Sequence, residues 1–182
     1  SKVQIDTDDA DAQKVFYTAL YHTMIAPSLF SDINQKPSYT TYSLWDTYRA
    51  AMPLYYIIHP ELRADVVNTM LDIYDAQDKL PVWHLMGCET DCMVGNPGVI
   101  AVADAIVKGL PGIDYERAYA ACKASVMLDE RGQDLRKKYG YIPCDLYGEA
   151  CANDMEYAVA DAAVAHAAEV LGYQEDAVFF TE

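Results

Sequence analysis

The segment NPGVIAVADAIVKG, running from Asn96 to Gly109, reads as one complete helix and sets the fold class. Asn96 stands at the N-cap, Pro97 lies in the first turn, where a missing N–H is no loss, and Gly109 follows Lys108 as a stop. Working outward, the same helical period of apolar residues continues on both sides. Upstream, Leu62 to Ala76 carries Val66, Val67, Met70, Ile73 and Tyr74 as a broad stripe, and Thr41 to Ile58 stops before Pro60. Asp9 to Ile25 repeats Val15, Phe16, Leu20, Tyr21 and Met24 until Pro27 ends it. Downstream, Asp114 opens a helix through Met127, and Asn153 or Asp154 caps a last long one that ends at Leu171, with Gly172 at C′. No run alternates as a strand rich in Val, Ile and Thr does. The chain therefore reads as all-α, with six helices and no repeated signature.

The connections are very unequal. Segments 77–96 and 129–152 are about twenty residues each and rich in Tyr, Cys, Asp, Glu and Gly, and loops of that length in a compact domain usually carry function. Of the 182 residues, 52% are hydrophobic, enough to bury a core without disulfides or a structural metal. Lys and Arg total 13 against 28 Asp and Glu, and the net charge of −15 argues against a nucleic-acid groove or an anionic membrane surface. No apolar run is long enough to span a bilayer, and the opening residues lack the form of a signal peptide, so a targeting segment is expected elsewhere if the protein is exported. Five cysteines, Cys88, Cys92, Cys122, Cys144 and Cys151, offer no CxxC half-site and read as buried free thiols.

Three segments can carry chemistry. In the first, Glu89 lies between Gly87 and Gly95 in a loop that also holds Trp83 and His84. Partial desolvation there would keep its carboxyl protonated as a general acid; the plainer alternative is a solvated carboxylate beside a core tryptophan. In the second, Trp45 and Asp46 share a helical turn with Arg49. An indole stacked on a sugar's C–H face beside a carboxylate that takes its hydroxyls is one reading, and an Asp46–Arg49 ion pair beside a buried tryptophan is the other. The third runs from Gly140 through Asp145, Gly148 and Glu149 to Asp154 and Glu156, where carboxylates can bind polyol hydroxyls or a hard cation, or can simply complement a helix N-terminus.

Taken in order, the stretches FYTALYHTMIAPSLFSD, YTTYSLWDTYRA, LPVWHLMGCETDCMVG, VIAVADAIVKG with DYERAY, and GYIPCD followed by MEYAVAD resemble glycoside hydrolase family 92, the bacterial exo-acting α-mannosidases. The resemblance covers nearly the whole chain. It implies part of an (α/α)6 catalytic barrel, with a preceding β-sandwich domain and the remaining barrel helices outside residues 1–182, and an inverting, calcium-dependent hydrolase acting on mannose-containing glycans. By the same resemblance Glu89 is the general acid, while Trp45, Asp46, Trp83 and Glu149 are substrate-binding residues; metal ligands are not identified. An inverting mechanism needs a second carboxylate about 6.5–9.5 Å away to activate water. In the family that base lies beyond the equivalent of Glu182, so the chain alone is expected to be inactive or nearly so. Gly148 stands where α-1,2-cleaving members tend to carry histidine, which leaves linkage preference open. Further expectations are Ca2+ as cofactor, a periplasmic, cell-surface or secreted location in a bacterium, and self-association through uncovered barrel faces. The rival reading is a non-catalytic helical scaffold that binds protein.

Overall fold

Five of the six expected helices are present, and the second is split in two, in the computed structural model, which describes residues 2–181. In chain order the elements are α1 (Ala10–His22), β1 (Ser28–Leu29), β2 (Tyr39–Thr40), α2 (Leu44–Thr47), α3 (Ala51–Ile58), α4 (Pro60–Gln77), β3 (His84–Leu85), β4 (Cys88–Glu89), α5 (Pro97–Val107), α6 (Tyr115–Val126), α7 (Gln133–Tyr139), α8 (Ala150–Leu171) and α9 (Gln174–Phe179). Helix α5 is the hub: α2, α4, α6 and α8 all pack on it, and α9 folds back against α8. Its small residues make this possible. A β-carbon on Gly98 would stand 2.2 Å from the Pro81 carbonyl oxygen, so only glycine lets the start of α5 meet the segment before β3. Val66, Val67, Met70 and Leu71 of α4, Val102 and Ile106 of α5, and Ala160 and Val164 of α8 form one continuous core. Arg63 is buried within it, donating to the Ala101 carbonyl and the Met52 sulfur, and burial pulls its pKa down to about 10. The result is all-α apart from two short antiparallel ladders, β1 with β2 and β3 with β4.

Several boundaries differ from the sequence reading, each for a physical reason. The helix expected over 41–58 is two helices, broken at 48–50. Pro53 in the interior of one continuous helix would clash with the carbonyl four residues back; restarting at Ala51 places it in a first turn. Helix α8 begins at Ala150, so Asn153 does not cap it; the Asn153 side chain accepts instead from Gly95 N at 3.0 Å. Asn96 holds the N-cap position of α5 without a capping bond from its side chain. Segment 129–152 contains α7, framed by Gly132 and Gly140 in the left-handed region. All five cysteines are free, but only Cys122 is buried; the other four lie in the β3–β4 hairpin, the connecting segments and the exposed first turn of α8. Burial pushes the Cys122 thiol up in pKa, which makes it inert.

Candidate active site

Glu89 sits on β4 of a two-residue hairpin whose turn, Met86-Gly87, has φ of 51° and 85°. Positive φ at both central positions matches the twist of a tight hairpin, and methionine there conceals it, since Asn-Gly or Asp-Gly is the usual signal. The chain then turns back so that four backbone N–H groups reach the Glu89 carboxyl. Oε1 accepts from Trp83 N at 2.9 Å, Thr90 N at 2.8 Å and Asp91 N at 2.9 Å, whereas Oε2 accepts only from Val82 N at 2.8 Å. Peptide groups, not the apolar surroundings the sequence suggested, therefore form the immediate environment of this carboxyl. Thr90 closes the cradle by donating its hydroxyl to Trp83 O at 2.7 Å. Across the hairpin from Glu89, His84 is buried with Nδ1 unpartnered among the described residues. Burial pulls the His84 pKa down, with the Glu89 carboxylate working in the opposite direction.

The Trp45–Asp46 turn is joined to this hairpin through the backbone. Tyr42 N donates to His84 O at 3.0 Å, and Met86 N donates to Thr40 Oγ1 at 2.6 Å. Between those contacts Thr41 holds φ at 64°, a conformation that β-branched residues adopt only under constraint. Asp46 is exposed, and its Oδ2 accepts from Ser43 Oγ at 2.8 Å. The Asp46–Arg49 pair raised by the sequence does not form. Arg49 bonds Glu156 of α8, with its guanidinium 4.6 Å from the Tyr48 ring centroid and 5.4 Å from that of Trp45. Tyr48 donates to the other Glu156 oxygen at 3.0 Å, and burial together with that carboxylate raises the Tyr48 pKa. Trp45 is half-buried, and its Nε1 has no partner among the described residues.

Glu149 is exposed at the start of α8 with φ of 53°. Its carbonyl accepts from Asn153 N at 2.9 Å, and Asn153 in turn holds Gly95 N, so the third segment is tied to the strap that follows Glu89. Asp154 and Glu156 are spent on Arg136 and Arg49 and not on a helix terminus. All three sequence-derived segments thus meet around the N-terminal ends of α5 and α8. The Arg49–Glu156 and Asn153–Gly95 contacts that join them span 107 and 58 residues and carry no local sequence signal. Cavities of about 570 and 450 Å³ lie elsewhere, near Asp161, His166 and Phe179, and near Glu169 and Val178. Among the described residues no three His, Cys, Asp or Glu side chains converge as a metal site, so the chain's own acidic groups do not fit a Ca2+ shell, which takes six to eight oxygens.

The model of the glycosyl hydrolase family 92 catalytic domain matches residues 1–182. A family GH92 alpha-mannosidase from Bacteroides thetaiotaomicron superposes with a TM-score of 0.93 at 36% identity, over 97% of this chain and 26% of that one. A family GH92 inverting mannosidase from the same organism gives a TM-score of 0.91 at 29% identity, over 99% of this chain and 28% of that one. An uncharacterized secreted glycosidase of Arthroderma benhamiae is 24% identical over 146 residues, 80% of this chain and 16% of its own length. The chain spans between 16% and 28% of the length of these relatives.

Proposed function

Since the chain belongs to glycosyl hydrolase family 92 across residues 1–182, we propose that it forms part of the catalytic domain of an exo-acting α-mannosidase, with Glu89 as the proton donor. The observation that carries this reading is the match of residues 1–182 to the family's catalytic domain. Three N–H donors on Oε1 and one on Oε2 hold the Glu89 carboxyl in place and favour its ionised form, so its role as proton donor rests on the family resemblance and not on these bonds. Delivered to the glycosidic oxygen, that proton turns an alkoxide-like leaving group into an alcohol, a step that contributes roughly 10²- to 10⁴-fold in rate. Asp46, whose Oδ2 is occupied by Ser43, offers Oδ1 to sugar hydroxyls beside Trp45, and Trp83 and Glu149 complete the rim. A relative's structure contains mannoimidazole, in keeping with a mannose subsite of this kind.

In this reading the reaction inverts, as the name of one relative states for that protein, and the carboxylate that activates water lies outside the chain, so residues 1–182 alone turn over glycosides slowly or not at all. Calcium dependence, implied by the family resemblance, is in this reading a property of the whole catalytic domain. An extracellular location accords with the relative described as secreted. No described helix is long and apolar enough to cross a membrane. The decisive experiment is Glu89→Gln in the polypeptide that carries the whole catalytic domain. Turnover of an alkyl α-mannoside is expected to fall at least about a hundredfold with the fold intact. Unchanged turnover would leave the scaffold reading in its place.

A further inference from the structure

We infer that Glu156 is a positioning residue for the Trp45–Asp46 turn, acting through Arg49 and Tyr48; this rests on the reading of that turn as mannose-binding and not on the role of Glu89. Helix α2 is four residues long, carries no side-chain cap at Ser43, and gives way at 48–50 before α3 begins. So short a helix does not hold its own shape in water. Leu44, fully buried, anchors its first residue, and Thr47 Oγ1 donates to Ser43 O at 2.8 Å. What fastens its far end lies across the fold, on α8.

Two consecutive side chains make that connection. Arg49 Nη2 donates to Glu156 Oε1 and Tyr48 Oη donates to Glu156 Oε2 at 3.0 Å, so both oxygens of one carboxylate hold residues that follow the turn. Arg49 also reaches back: its Nε donates to Trp45 O at 3.2 Å, and its guanidinium lies 5.4 Å from the Trp45 ring centroid. One side chain thereby holds the backbone and the ring of Trp45 while fastened to α8. A planar guanidinium can pair, stack and reach a carbonyl together, which a lysine ammonium cannot do. The fastening point is firm. The Glu156 side chain is 15% exposed against 48% for that of Arg49, its helix runs 22 residues, and its Cβ lies against Gly95. Asp46 is the next residue after Trp45, so the clamp sets the direction of a carboxylate that itself stays exposed.

The test uses Glu156→Ala, Arg49→Met, their double variant, Arg49→Lys and Asp46→Asn in the polypeptide carrying the whole catalytic domain, with methyl α-mannoside as substrate. Alanine at 156 keeps the β-carbon that meets Gly95 and removes the carboxylate. A turn that holds its binding shape about a tenth of the time raises KM about tenfold. Glu156→Ala, Arg49→Met and Arg49→Lys are each expected to show that rise with kcat within about threefold of the parent, and the double variant is expected to be no worse than either single one. Hydrogen exchange of a peptide covering 43–50 is expected to quicken in Glu156→Ala while that of α5 does not. An unchanged KM, a fall in kcat at constant KM, or losses that add in the double variant would overturn the positioning role. Should Glu156→Ala fold poorly, the half-exposed Arg49 decides the matter through its own two variants. Asp46→Asn tests the underlying reading by itself. A raised KM there with none in Glu156→Ala removes the clamp alone, whereas an unchanged KM in Asp46→Asn removes the sugar-binding reading and the inference with it.

Discussion

Gly95 lies against Glu156 so closely that a β-carbon on the glycine would stand 2.4 Å from the Glu156 Cβ. This contact lets the strap leaving the Glu89 hairpin rest on α8, where Glu156 also holds Tyr48 and Arg49. One glycine thereby brings the Glu89 segment and the Trp45–Asp46 turn onto the same helix.

Gly95→Ala should therefore act on both segments at once. It meets the Glu156 side chain and also places a β-carbon at φ 70°, so an unfolding cost of about 1–3 kcal/mol is expected. Gly109→Ala is the control, with a similar φ of 64° but open space around it. Thermal unfolding of both variants separates strain from clash: Gly95→Ala should be the less stable, and equal losses would mean that the contact with α8 is unimportant.

Tyr157 supplies a pH prediction. It donates to Arg131 O at 2.8 Å, and burial pushes its pKa up to about 12. In the unfolded chain the phenol titrates near 10, so between about pH 10 and 12 the unfolded state releases a proton that the folded state retains, and stability falls as pH rises. Denaturant titrations at pH 9 and pH 11 should show a smaller alkaline loss in Tyr157→Phe than in the parent. An identical loss would show that this phenol is not linked to folding.

Helix α1 bears on association. It contains no buried residue, and Val15 and Tyr21 are 69% and 68% exposed. Together with Ile33, at 91%, they leave apolar surface that a solitary copy of residues 1–182 would cover by pairing with a second copy. Size-exclusion chromatography with light scattering is expected to show species larger than the 20.3 kDa monomer, and Val15→Glu should reduce them. A monomer at high concentration would refute this.

The helices were legible because their cores are continuous apolar stripes: Val66, Val67 and Met70 announce α4 as plainly as Pro97 and Gly109 bound α5. The break in the second helix has its own trace in Pro53, which the interior of a continuous helix would not accommodate. Other features left little trace. Methionine at the Glu89 hairpin turn disguises a conformation that glycine or asparagine would have advertised, and α7 is short and basic with little apolar period. Glu89, Asp46 and Glu149 could be picked out by residue type, but what surrounds them could not. Arg49 sits three residues from Asp46 and chooses Glu156, more than a hundred residues away, because the fold brings that carboxylate to it. Local spacing offers the near partner; only packing decides against it.

Holding a carboxyl with peptide amides has an evolutionary side. Every residue except proline brings the same N–H, so positions 82 and 83 can drift in side chain without loosening their hold on Glu89, provided the path of the chain is kept. Side chains at these positions can change while Glu89 stays held, and a proline arriving at either one would be the exchange that removes a strut outright.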